Sequence, residues 1–165
     1  FAFEHYDCVP DILVMGKGMA SGLPVGAFSA SNEMMQTLQH SPKLGHITTF
    51  GGNPLIAAAS LATLKEITEG GHIPATLEKE KLLRKLLKHP LIEEIRGKGL
   101  MLALILKDKE MADRVILDCA KKGLILFWLL FEPRAVRISP PLTITNEEIE
   151  KGCRLIIDTL DDISQ

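Results

Sequence analysis

The segment Val14-Met15-Gly16-Lys17-Gly18-Met19-Ala20-Ser21-Gly22-Leu23-Pro24-Val25-Gly26-Ala27 constrains this chain more than any other. An apolar run, Ile12 to Met15, reads as a short buried strand, and it delivers one lysine between two glycines. An ammonium is costly to bury without a partner. A desolvated lysine has a lowered pKa and can form a Schiff base, which gives a reason to keep an amine there. Flanking glycines would let a flat ligand approach the backbone. A glycine-rich turn whose lysine faces water is the other reading of the same residues.

A length of 165 residues suits one domain or two small ones. The net charge of -2 gives no electrostatic case for nucleic acid, and an aromatic share of 5% provides no platform for stacking bases. No apolar run is long and clean enough to span a bilayer. The longest, Gly123 to Phe131, has the length of a buried strand. Cys8, Cys119 and Cys153 are far apart and form neither a CxxC nor a metal spacing. They read as reduced thiols of a cytoplasmic protein, and no metal is expected. The start, Phe1-Ala2-Phe3-Glu4-His5, has no signal-peptide pattern and no initiator methionine, which predicts a fragment or a processed product.

In chain order, Phe1 to Val9 reads as strand or loop, Ile12 to Met15 and Val25 to Ser29 as short strands, and Glu33 to Leu38 as a helix behind a cap at Ser31-Asn32-Glu33. Next comes a polar loop, Gly45-His46-Ile47-Thr48-Thr49-Phe50-Gly51-Gly52-Asn53-Pro54. Its hydroxyls and glycine pair suit a phosphate. Asn53 followed by Pro54 also suits a helix start, and the two readings are compatible. Helices are predicted over Leu55 to Thr68 and Ala75 to Lys88, the second with a solvated lysine-rich face. Arg96-Gly97-Lys98-Gly99 reads as a tight turn and Leu100 to Leu106 as a buried strand. A helix over Lys109 to Lys122, strands over Leu124 to Phe131 and Ala135 to Ser139, and a capped helix over Glu147 to Ile163 complete the chain. From about Leu91 the order is therefore β-α-β-β-α, a compact α/β unit. The part before Gly52 has too little sheet of its own and looks like the end of a larger domain.

These pieces resemble the class III aminotransferases, enzymes dependent on pyridoxal 5'-phosphate (PLP) with the fold-type-I architecture. Three segments carry the likeness in the family's order: Pro10 to Ala27 around Lys17, His46 to Pro54 with Thr48 and Thr49, and Val136-Arg137-Ile138-Ser139-Pro140-Pro141-Leu142. The resemblance implies that Lys17 binds PLP and acts as the catalytic base. It implies that Thr49, helped by Thr48, holds the phosphate of a partner subunit's cofactor in a homodimer. Arg137 would take the carboxylate of a substrate such as 2-oxoglutarate or glutamate. On the residues alone, Arg137 is otherwise a surface arginine before a turn, and Arg134 is its nearby competitor. His46 reads as a loop residue, and Ile47 stands where the family often has a glycine.

The implied division is 1–53 as the end of the PLP-binding large domain, 54–90 as linking helices, and 91–165 as the small C-terminal α/β domain. The implied reaction is transamination of ornithine, acetylornithine or another ω-amino donor with 2-oxoglutarate. The family's upstream glycine-serine phosphate loop, stacking aromatic and acidic ring partner have no counterpart here. The chain by itself is therefore expected to be inactive. A PLP aminomutase or decarboxylase of the same fold, and a non-catalytic α/β module, are the alternatives.

Overall fold

The computed structural model describes residues 1–164. It divides into two compact units, Phe1–Gly70 and Gly71–Gln165.

The first unit is built on an antiparallel hairpin of β1 (Ile12–Gly16) and β2 (Gly26–Ala30), with Gly16 opposite Gly26. A 3-10 turn over Lys17–Ala20 follows β1 directly. The first nine residues, read as strand or loop, contain a 3-10 turn at Ala2–His5. Ser31 caps α1 (Asn32–Gln36) by accepting from the Met34 N–H at 3.2 Å. A 3-10 turn at Thr37–Gln39 finishes that helix. Asn53 starts α2 (Pro54–Glu69): its side chain accepts from the N–H groups of Leu55 and Ile56, and Pro54 follows at the first turn. The face of α2 that carries Ser60 and Thr63 packs against the 3-10 turn at Lys17–Ala20.

The second unit holds a four-stranded antiparallel sheet in the order β3-β4-β6-β5. Its strands are β3 (Glu94–Lys98), β4 (Met101–Ile105), β5 (Phe127–Trp128) and β6 (Ala135–Ile138). Helices α3 (His72–Leu86), α4 (Lys109–Lys121) and α5 (Asn146–Ser164) pack with it. Side chains alternate across the sheet. Leu102, Leu104, Val136 and Ile138 enter one core with Val115, Ile116, Cys119, Ile149, Ile156 and Leu160 of the helices. Ala103, Ile105 and Ala135 belong to a smaller cluster with Leu129. The starts of α4 and α5 are capped by side chains: Asp108 accepts from the Met111 N–H at 2.8 Å, and Thr145 and Glu148 form a reciprocal capping box. Burial raises the thiol pKa of Cys119 and pushes that of Cys153 up to about 11, so both behave as small apolar groups.

Three sequence readings change here, the first being that β1, read as a buried strand, has no buried residue and leaves Val14 77% exposed. Arg96-Gly97-Lys98 is not a turn but most of β3, so the order from Glu94 is β-β-α-β-β-α. The turn is Gly99-Leu100, and Gly99 at φ 60 fits the first central position of a II′ hairpin. The run from Leu124 to Phe131 is strand only at Phe127–Trp128, where it pairs with Arg137 and Val136 of β6, and Leu130 and Phe131 face solvent. Arg84 locks the β3–β4 hairpin to α3. It donates to Glu80, to the Ile95 carbonyl and to the Gly97 carbonyl, at 2.7–2.8 Å, while Glu80 accepts from the Gly99 N–H at 2.6 Å.

Candidate active site

Lys17 is the first residue after β1, so the strand fixes where its backbone stands. Its φ of 51 lies in the left-handed region, and Ser21 at the other end of the turn has φ 46. Two non-glycine residues in that region within five positions amount to local strain, which persists only where the surroundings impose it. Gly16 leaves little room next to the lysine: a Cβ there would stand 3.3 Å from the Val25 carbonyl oxygen, which would have to give by a few tenths of an ångström. Around Gly18 and Gly26 there is open space. Lys17 itself is exposed, so in this chain it faces water rather than being the desolvated amine expected at the end of a buried strand, and among the described residues no carboxylate or carbonyl holds its amine.

Thr48 and Thr49 lie on an exposed loop. A turn closes through the Gly51 N–H donating to the Thr48 carbonyl at 3.1 Å. A Cβ on Gly51 would meet the Thr48 hydroxyl at 2.9 Å, so that glycine makes room for the hydroxyl. Thr48 lines a cavity of about 620 Å³ together with Met19, Val25, Gly26, Gly52 and Ser60. Thr49 and Lys17 are not among its lining residues. Asn53 already satisfies the first N–H groups of α2. An anion at this loop would therefore depend on the threonine hydroxyls and the glycine backbone rather than on the helix start.

Arg137 sits on β6 opposite Ala103 of β4 and Phe127 of β5. Its guanidinium lies 4.7 Å from the centre of the Phe127 ring. Its Nε is buried and has no hydrogen-bond partner among the described residues. Such an orphan donor is costly unless a ligand completes it. Arg137 lines a cavity of about 460 Å³ with Leu126, Pro140, Pro141, Cys153 and Ile156. Arg134 is the opposite case. It is held by Glu132 at 3.3 Å and Glu93 at 3.1 Å, and those carboxylates raise its pKa. Of the two arginines, only Arg137 is left without a carboxylate.

The donor set suits PLP in its chemistry. There is an unheld amine on strained backbone, two hydroxyls on a glycine loop, and a guanidinium with an orphan donor. Lys17, Thr48 and Thr49 belong to the first unit and Arg137 to the second. The sequence reading passed over Ser60 and the pair Ser21–Thr63, whose hydroxyl oxygens lie 2.9 Å apart. Ser21 and Thr63 are 42 positions apart, and only the placement of Thr63 on the inward side of α2, one turn after Ser60, could have pointed to them.

Residues 1–160 match the family described as Aminotransferase class-III. The chain belongs to the class III aminotransferases. It is 37% identical over 168 residues to an acetylornithine aminotransferase of Caldanaerobacter subterraneus, covering 99% of this chain and 41% of that protein. Two solved structures are similar in the same way. The acetylornithine aminotransferase of Elizabethkingia anophelis matches with a TM-score of 0.85 and 30% identity, over 98% of this chain and 43% of that one. The ornithine aminotransferase of Toxoplasma gondii, described with partial occupancy of PLP at its active site, matches with a TM-score of 0.86 and 29% identity, over 99% and 39%. The α/β fold is thus that of part of a PLP-dependent aminotransferase, and the chain spans about two fifths of the length of these relatives. No described helix is long and apolar enough to cross a membrane.

Proposed function

We propose that this class III aminotransferase chain supplies the cofactor lysine, the phosphate hydroxyls and the substrate arginine of a PLP-dependent transamination. The donor is ornithine, acetylornithine or a similar ω-amino compound, and the acceptor is 2-oxoglutarate. The observation that carries the reading is Lys17: an unheld amine at the end of β1, on left-handed backbone, in a chain matching the family over residues 1–160.

Bound PLP would supply a conjugated ring that takes up electrons from the bond being broken at the substrate's amino carbon. Lys17 would hold the cofactor and, once its amine is free, move the proton between that carbon and C4′ of the cofactor. Thr49, with Thr48, would donate to the phosphate of a partner subunit's cofactor in a homodimer. Arg137 would orient the substrate by its carboxylate, completing the orphan Nε donor. Residues 1–53 would end the PLP-binding large domain and 91–165 would form the small C-terminal domain. Residues 54–90 would link them; the boundary between the two compact units falls inside that stretch, between Gly70 and Gly71.

In the full natural protein, Lys17→Ala is expected to abolish both the visible band of lysine-bound PLP and amino transfer from acetylornithine. A retained band would remove Lys17 from the role. Arg137→Lys is expected to lower kcat/KM for 2-oxoglutarate by about ten- to hundredfold, the scale of a hydrogen bond to a charged group. The 165-residue chain alone, with added PLP, is expected not to turn over an amino donor; measurable turnover would overturn that part of the proposal.

A further inference from the structure

The 3-10 turn that begins at Lys17 ends at Ser21. The Ser21 N–H donates to the Gly18 carbonyl at 3.1 Å and, just past the turn, the Leu23 N–H donates to the Ala20 carbonyl at 3.2 Å. Ala20, the last residue of the turn, is buried. These contacts close the turn on itself, but they do not fix it against the rest of the unit. That is done from α2. The Thr63 hydroxyl donates to the Ala59 carbonyl at 2.9 Å, which uses its only proton. In the 2.9 Å contact between the two hydroxyls, Ser21 is therefore the donor and Thr63 the acceptor. The direction is set by the helix, so the pair has one arrangement rather than two.

This bond reaches the residue that most needs holding. Ser21 has φ 46, and Lys17, four positions earlier, has φ 51. A serine gains nothing intrinsic from the left-handed region, and glycine would occupy it at less cost. Gly22 stands next in the chain, at φ 108. A serine kept beside it has its side chain engaged with α2, and that contact offsets the backbone cost.

We infer that Thr63, acting through the Ser21 hydroxyl, is a positioning residue for the Lys17 amine. The tether ties the C-terminal end of the strained turn to a 16-residue helix, while β1 holds the other end. The Lys17 side chain is then presented from a turn clamped on both sides. The inference rests on the reading of Lys17 as the cofactor lysine.

The test is trapping with PLP and borohydride in the full natural protein, followed by peptide mapping and the initial rate of label appearing on Lys17. Ser21→Ala and Thr63→Val are each expected to slow that rate about three- to tenfold, the scale of one lost hydrogen bond. The double variant is expected to be no slower than the worse single one, because both remove the same bond. Thr63→Ser keeps the hydroxyl and is expected to restore the rate. Wild-type rates in Ser21→Ala would overturn the inference, and because Ser21 is exposed that variant decides the matter even if Thr63→Val folds poorly. A Thr63→Ser variant as slow as Thr63→Val would also overturn it, since bulk and not the hydroxyl would then matter. If the wild-type protein is not labelled at Lys17, the cofactor reading fails and this inference falls with it. If the wild type is labelled there and the variants match it, only the tether falls.

Discussion

The two units bury their apolar residues very differently. Of the buried apolar side chains, all but Ala20 lie at or beyond Leu83, in the second unit. There the sheet and three helices close a core of their own. The first unit carries its apolar residues outward: Val14 and Phe28, a cross-strand pair, are 77% and 49% exposed, and Phe50 is 79% exposed. A hairpin with apolar residues on both faces has the pattern of a strand pair meant to be covered on both sides. The unit that carries Lys17, Thr48 and Thr49 is thus the one whose own residues stabilise it least. Its site geometry rests on local devices: tight glycines, the Asn53 cap and the Ser21–Thr63 contact.

The contrast breaks or sharpens by measurement. The largest effect expected is from Leu104→Ala. The side chain is fully buried between sheet and helices, and its truncation should cost about 2–5 kcal/mol in denaturant unfolding. Val14→Ala, an apolar truncation in the first unit, should change stability by no more than about 0.5 kcal/mol. Equal costs at the two positions would erase the distinction.

Next comes Gly97→Ala. Gly97 has φ 108, and a Cβ there would collide with the Met101 carbonyl oxygen across the hairpin. A loss of about 1–3 kcal/mol is expected, with amide exchange rising first in β3 and β4. A neutral result would mean that the hairpin is not held as described.

A smaller effect concerns acid. Burial pulls the Glu80 carboxyl upward, but hydrogen bonds from Arg84 and the Gly99 N–H, with the charges of Arg84 and Lys98, outweigh it and leave its pKa lowered. A carboxylate with a lowered folded pKa contributes stability above its unfolded value, and loses it as pH falls through the folded value. The second unit should therefore weaken as pH drops below about 4.3, and Glu80→Gln should flatten that limb of the stability profile. An unchanged limb would show that Glu80 does not anchor the hairpin. Smallest of all is Lys109→Ala, which removes an exposed pair with Asp113 and should leave the midpoint of unfolding unchanged.

The sequence made some of this legible and not the rest, for physical reasons. Caps are local, so Ser31, Asn53 and Thr145 could be read directly. Helical periodicity marked α2, α3 and α4. The strand β3 was missed because Glu94, Arg96 and Lys98 are charged and Gly97 and Gly99 suggest a turn. An edge strand can carry such residues, since one side of it faces water. The apolar run at Leu124 to Phe131 was overread for the related reason that an apolar stretch does not reveal whether it is paired. Leu130 and Phe131 are 93% and 98% exposed. At the site, Lys17 could be singled out by its glycines, whereas the orphan Nε of Arg137 and the Ser21–Thr63 contact depend on residues distant in the chain.

The central claim is that one amine among the lysines of this chain is the cofactor's. Borohydride reduction of the full natural protein with PLP, followed by peptide mapping, tests it most directly. The expected result is label confined to the peptide carrying Lys17. Label spread over Lys65, Lys85, Lys121 and the other exposed lysines, with no excess at Lys17, would contradict it.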